Sequence, residues 1–262
     1  MRRIDAAFSQ SGRPAFIGFL VAGDPDKETC IRSAMALVES GTDILELGIP
    51  FSDPVADGPT IQRADERALA AGTTVDTVFE IVREIRKKSE VPIVFLAYYN
   101  MIFHRGIDRF YREAHEAGVD GILVADMPVE ESDEVYKAAL RHYIDPIFLI
   151  TQTTSDERIR KITARARGYL YLVAVLGVTG VRDSVSSEAL ELVKHVRKYT
   201  GVPLALGFGI STPAHAKTCA MAGSSGVIVG SAIVDIIEKS LGNPEKMEEE
   251  LRAYVRAMKS AL

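Results

Sequence analysis

Residues 15–48 contain the unit that decides the fold. An apolar run, Ala15-Phe16-Ile17-Gly18-Phe19-Leu20-Val21, is followed by a helical pattern over 27–40 that stops at Gly41. A second run then appears, Asp43-Ile44-Leu45-Glu46-Leu47-Gly48. A short apolar run, an amphipathic helix and another apolar run predict two parallel strands joined by a helical crossover.

The same beat continues outward from this unit. Further runs at 92–98, 121–126, 146–151, 169–175, 203–208 and 226–229 bring the strand signals to eight. Helical patterns cover 75–88, 107–117, 130–141, 156–166, 187–199 and 213–222, and two more, at 233–239 and 244–258, close the chain. Right-handed crossovers fit both a closed barrel and an open doubly wound sheet. Eight strands in 262 residues favour the barrel, which typically needs about 250 residues. No Gly-x-Gly-x-x-Gly fingerprint follows the first strand, which weakens the open dinucleotide-binding alternative. The expectation is one (β/α)8 barrel with extra helices, occupying 1–262 as a single catalytic domain. Two loops, 50–60 and 177–187, follow strands and so belong to the catalytic face, where small and polar residues suit lids.

Composition narrows the function classes. The net charge is −5 and the cations are scattered along helical patterns, which argues against nucleic acid as a partner. No apolar segment approaches the roughly 20 residues of a membrane span, and the first residues lead into no signal-like run. Cys30 and Cys219 sit inside helical patterns and read as two buried thiols. The expectation is a cytoplasmic enzyme. The five histidines show no metal-ligand spacing, so no metal is expected, and no strand-end lysine offers a Schiff base.

Two carboxylates stand out. Strand residues alternate faces, so Leu45 and Leu47 point to the helices while Ile44 and Glu46 point into the barrel. A carboxylate there is costly unless paired or functional, and apolar surroundings raise its pKa toward neutrality. The competing reading is a structural glutamate bonded to a neighbouring strand. Asp57 lies in the loop directly after that strand, and its Gly58-Pro59 neighbours also fit an ordinary turn aspartate. Asp53 reads as structural, and Asp126 as a catalytic residue or a helix cap.

Three glycine clusters follow strands six, seven and eight: Gly177-Val178-Thr179-Gly180, Gly207-Phe208-Gly209-Ile210-Ser211 and Gly230-Ser231-Ala232-Ile233. Glycine lets a backbone approach an anion, and a helix beginning at Ser231 adds N–H donors and a positive dipole end. Barrels commonly bind phosphate after strands seven and eight. The last two clusters contain no lysine or arginine, so backbone donors would carry the binding. Tyr169 and Tyr171 share one side of strand six. Core packing accounts for the first, and the later Tyr171 is better placed for a site.

The stretch Leu45-Glu46-Leu47-Gly48-Ile49-Pro50-Phe51-Ser52-Asp53-Pro54-Val55-Ala56-Asp57-Gly58-Pro59-Thr60-Ile61-Gln62 resembles the signature of the tryptophan synthase α chain family. The resemblance extends through Gly23-Asp24-Pro25, Tyr99-Asn100, Leu123-Val124-Ala125-Asp126 and the three glycine clusters, over essentially the whole chain. It implies a reverse aldol cleavage of indole-3-glycerol phosphate to indole and glyceraldehyde 3-phosphate. In that reading Glu46 shuttles the proton, Asp57 holds the indole N–H, and Tyr171 matches an active-site tyrosine. Gly180, Gly209, Gly230 and Ser231 match the phosphate cradle. Phe19, Leu96, Leu123, Ala125, Leu149 and Phe208 match the indole pocket, and Thr179 a lid residue. The resemblance further implies a β chain as partner in an αββα complex, carrying the pyridoxal phosphate, with no cofactor in this chain. Pro54 and its neighbours are the expected centre of that contact.

The chemistry agrees with the residue reading, because two carboxylates can protonate indole C3 and stabilise the developing charge. The sequence departs from the family at Ala174-Val175-Leu176, where relatives carry polar residues, and at Val21, where a threonine is common. Another phosphate-binding barrel enzyme would keep the glycine clusters without the Glu46/Asp57 pair. A regulatory subunit with a vestigial site would have no reason to retain both.

Overall fold

The computed structural model describes every residue except 10, 11, 174–186 and 208, and the side chains of 187–188 are also left out. The strands are β1 (Ala15–Val21), β2 (Ile44–Gly48), β3 (Ile93–Ala97), β4 (Gly121–Val124), β5 (Asp145–Thr151), β6 (Leu170–Val173), β7 (Leu204–Gly207) and β8 (Gly226–Val229). They pair in parallel in chain order and close on themselves, β8 against β1. The expected (β/α)8 barrel is therefore the fold, with strand ends moved by a residue or two from the sequence reading.

The helices are α1 (Arg3–Ser9), α2 (Lys27–Glu39), α3 (Pro59–Ala70), α4 (Val75–Arg86), α5 (Tyr99–Arg105) and α6 (Ile107–Ala117). There follow α7 (Asp133–Arg141), α8 (Asp156–Arg165), α9 (Ser187–Arg197), α10 (Pro213–Met221), α11 (Ser231–Lys239) and α12 (Pro244–Lys259). Side-chain caps start several of them. Asp26 accepts from the Thr29 N–H ahead of α2, and Thr74 forms a reciprocal capping box with Thr77 ahead of α4.

Three helices were not expected. Helix α1 buries only Ile4, and α5 has seven residues with only Ile102 buried, so neither gives a periodic apolar stripe. Helix α3 buries Ile61, Ala64, Asp65 and Ala68, a stripe of mostly small residues that a hydrophobicity pattern barely registers. Pro59 at its first turn was the available signal.

The core has the two layers that strand alternation predicts. Leu45 and Leu47 belong to the large cluster between sheet and helices. Ile44 belongs to the interior cluster with Ile17, Val94, Leu123, Ile147, Tyr169, Ala205 and Ile228. Ile4 of α1 joins that interior cluster and approaches Gly121 and Gly168, at or just before strand starts, so α1 closes the N-terminal end of the barrel. The opposite end is left for the site. Both cysteines are buried and unpaired, as expected.

Candidate active site

Glu46 is the middle residue of β2, beside Phe19 of β1 and Val94 of β3. Only 1% of its surface is exposed. Burial pushes its carboxyl up to about 8, with the Asp57 carboxylate adding to the effect and a hydrogen bond from Tyr169 opposing it. That hydrogen bond is long, the Tyr169 O–H reaching Oε1 at 3.4 Å. At neutral pH Glu46 is thus mostly an uncharged acid inside an apolar barrel. Among the described residues, the structural alternative, a glutamate tied to a neighbouring strand, has only this weak contact to support it.

Asp57 comes from the β2–α3 loop and is held from two sides. Its carbonyl oxygen accepts from Gln62 Nε2 at 2.8 Å, which fixes the entry to α3. Its carboxylate accepts the Tyr98 hydroxyl at 2.6 Å, and the Tyr98 oxygen in turn accepts the Ala56 N–H at 3.1 Å. Phe51 stacks on the Tyr98 ring with centroids 5.0 Å apart. Burial raises the Asp57 pKa, and the Tyr98 hydrogen bond pulls it back.

Both carboxylates line one cavity of about 520 Å³ at the C-terminal end of the barrel. Phe19, Leu96, Leu123, Ala125 and Leu149 line it, as do Tyr171, Gly209, Gly230 and Ser231. Every expected site residue that the structure describes is therefore in one place. Thr179, Gly180 and Phe208 lie outside the described residues, as do most of the 177–187 loop and the departures at Ala174, Val175 and Leu176.

Two glycines make the room. A side chain on Gly48 would meet the Phe19 ring at 2.7 Å, and one on Gly207 would meet the Tyr171 hydroxyl at 2.4 Å. The flat Phe19 wall and the inward Tyr171 both depend on those missing atoms. Burial raises the Tyr171 phenol pKa, and the nearby Glu46 and Asp57 carboxylates add to the rise.

At the far end, Gly230 caps α11, and Ser231 and Ala232 begin it. The first N–H groups of a helix have no partner within the helix and point at whatever occupies the cavity. The site therefore has an apolar end with two carboxylates and an anion-ready end that, among the described residues, has no charged side chain in its lining.

Sequence reasoning missed Tyr98, whose position at the end of the third strand was the available signal. It also missed Ile61, which α3 carries into the cavity, and it assigned Tyr169 to core packing alone. Of the two other aspartates, Asp126 accepts the Tyr99 N–H at 2.7 Å and caps α5. Asp53 accepts the Ser52 hydroxyl within its own turn. Among the described residues no group of His, Cys, Asp and Glu is arranged to hold a metal, and no helix is long and apolar enough to cross a membrane.

The sequence model described as "Tryptophan synthase alpha chain" matches residues 6–262. A protein of that name from Methanoregula boonei is 70% identical, the match covering 100% of this chain and 98% of the relative. Another from Methanothermobacter thermautotrophicus is 45% identical over 97% and 94% of the two chains. Tryptophan synthase subunit alpha from Legionella pneumophila has a crystal structure that superposes with a TM-score of 0.92. Its identity is 37%, covering 100% of this chain and 98% of that one. A structure from Pyrococcus furiosus, described as that of a tryptophan synthase a2b2 complex, matches with a TM-score of 0.89. It shares 39% identity over 95% of this chain and 98% of that one.

Proposed function

Because the chain belongs to the tryptophan synthase alpha chain family, a lyase family acting in tryptophan biosynthesis, we propose how its own residues carry out that cleavage. The reaction splits indole-3-glycerol phosphate into indole and glyceraldehyde 3-phosphate. The observation that carries the assignment of roles is the pairing of a neutral buried Glu46 with an Asp57 carboxylate in one cavity that ends at a helix N-terminus.

The indole ring occupies the apolar end against Phe19, Leu96, Leu123, Ala125 and Leu149. The phosphate lies at Gly209, Gly230 and Ser231, with Gly180 as a further member of the cradle. Glu46 delivers its proton to indole C3, and positive charge spreads to the ring nitrogen. Asp57 accepts a hydrogen bond from that N–H and stabilises the charge electrostatically. The bond from C3 to the glycerol carbon then breaks, and its electron pair restores the aromatic ring. The glycerol hydroxyl becomes the aldehyde and gives its proton to the Glu46 carboxylate, which is ready for another cycle. The ring itself is the electron sink, so the chain needs no cofactor. Tyr171, which lines the same cavity, packs beside the reacting atoms, and the family resemblance assigns Thr179 a lid role.

The chain acts as one catalytic domain over 1–262, and its partner is a tryptophan synthase β chain in an αββα assembly. Support for the partner comes from similar solved structures that include tryptophan synthase complexes. Indole is small and apolar, so release toward an enzyme that consumes it limits its loss. The pyridoxal phosphate of the joint reaction belongs to the β chain. Buried, unpaired Cys30 and Cys219 suit the cytoplasm, a reducing compartment. The direct test of function is indole release on adding indole-3-glycerol phosphate, against a panel of sugar phosphates that should give no turnover.

A further inference from the structure

Asp24, in the loop between β1 and α2, is a buried carboxylate with 2% of its surface exposed. Arg67 of α3 grips it with both arms of its guanidinium, Nε to Oδ1 at 2.8 Å and Nη2 to Oδ2 at 2.9 Å. The remaining arm, Nη1, reaches Glu238 Oε1 of α11 at 3.0 Å. Arg63, one turn earlier on α3, grips the same Glu238 at 2.7 Å through both Nε and Nη2. One arginine thus ties together the β1–α2 loop, α3 and α11.

We propose that Arg67 is a positioning residue that fixes α3 against α11, and through them sets the distance between Asp57 and the phosphate turn at Gly230–Ser231. The proposal rests on the assignment of these two places to the two ends of the substrate.

The mechanics follow from where the helices start. Helix α3 begins two residues after Asp57, and α11 begins one residue after Gly230. Gly58 and Ile61 at the start of α3 line the cavity, as do Ser231 and Ala232 at the start of α11, so the two ends of the site are mounted on two helix N-termini. Arg67 lies about 12 Å along α3 from its first residue, and Glu238 about 10 Å along α11. Beside the clamp, Ile61, Ala64 and Ala68 of α3 meet Val234 of α11 with Phe19 and Val21 of β1. That contact holds the helices together, but small alanine faces present little relief to resist sliding. A bidentate guanidinium–carboxylate pair specifies direction as well as distance, and the buried Asp24 gives it a fixed anchor on the barrel. A lysine at position 67 could not hold three oxygens in this geometry.

The consequence is specific to ligands that touch both ends. Loosening the clamp leaves each end intact and changes only their separation. The test is calorimetric titration of the intact chain with three probes: indole, inorganic phosphate, and a cleavage-inert indolyl-alkyl phosphate of substrate length. The wild-type chain, Arg67→Met and Arg67→Lys are compared. Arg67→Lys keeps a cation against Asp24 and leaves the Arg63–Glu238 pair intact but cannot hold three oxygens, so it carries the test if Arg67→Met does not fold. The expected result is that the spanning ligand loses about tenfold or more in affinity while each fragment stays within about twofold. If all three probes weaken together, or if the spanning ligand is unaffected, the clamp does not set the separation and the proposal is overturned. If the wild-type chain itself gains nothing from joining the two fragments, the placement of the substrate ends is wrong and the proposal falls with it.

Discussion

The Tyr98 hydroxyl donates to Asp57 Oδ2 at 2.6 Å, within the range of a strong hydrogen bond to a carboxylate. It is also the side-chain contact that opposes the rise in the Asp57 pKa on burial. In Tyr98→Phe the carboxylate loses that donor and its pKa rises further. The acid limb of kcat/KM, where Asp57 must be ionised, should move to higher pH, and the plateau rate should fall by about tenfold. An unmoved acid limb would mean that Asp57 is not the group whose ionisation matters.

The raised pKa of Glu46 has two pH signatures. The reaction begins from the protonated acid, so kcat/KM of the wild-type chain should decline as pH rises through about 8. Stability follows the same sign. Unfolded glutamate ionises near 4.5 and buried Glu46 near 8, so the stability present below 4.5 is lost as pH rises to 8. Glu46→Gln should therefore melt higher than wild type at about pH 9, with the difference vanishing near pH 4. Asp65, also raised to about 8 by burial first and by Asp57, adds an alkaline loss common to both proteins, and the comparison removes most of it. A melting difference independent of pH would contradict the burial argument.

The phosphate end can be tested without disturbing the indole end, though not at Gly230. A side chain there would press on Phe19 at 3.3 Å and so reach the apolar pocket as well. Ser231→Asp is the cleaner change. A carboxylate in the first turn favours the α11 dipole, so the fold should not suffer. The same charge repels a phosphate, and binding of phosphate-bearing ligands should drop by at least about tenfold. Free indole should bind as before, as read by competition titration. Equal loss of both ligands would mean that Ser231 does not face the phosphate alone.

The β2–α3 loop exposes an apolar tip. Val55, 84% exposed, follows Pro54 and stands two residues from Asp57. A partner seated there would touch the loop that carries a site carboxylate, and ordering that loop should raise cleavage. Val55→Glu should weaken association with the cognate β chain by about tenfold or more, with much less effect on cleavage by the isolated chain. Sedimentation of the mixed chains measures the first and indole release the second. Unchanged association would move the contact elsewhere on this face.

The barrel was legible because eight apolar runs had to be buried on both faces, and burial leaves a mark in composition. Glu46 was legible for the opposite reason, as the one charge among β2 residues that otherwise read as core. Helix α3 was hidden because its buried stripe includes Ala64, Ala68 and Asp65, which carry little hydrophobic signal. Tyr98 was hidden because a tyrosine at a strand end looks like packing until the loop carrying Asp57 folds back over it. The Arg67–Asp24 pair joins residues 43 apart, a partnership that no local pattern encodes.

Glu46→Gln keeps the shape of the side chain and removes the proton on which the whole reaction turns. Single-turnover cleavage of indole-3-glycerol phosphate by this variant, beside the wild type, is the most direct measurement. Indole formation should slow by about 10²- to 10⁴-fold with substrate affinity changed far less. A variant that kept most of the wild-type rate would show that Glu46 is a structural residue and that the proton comes from elsewhere.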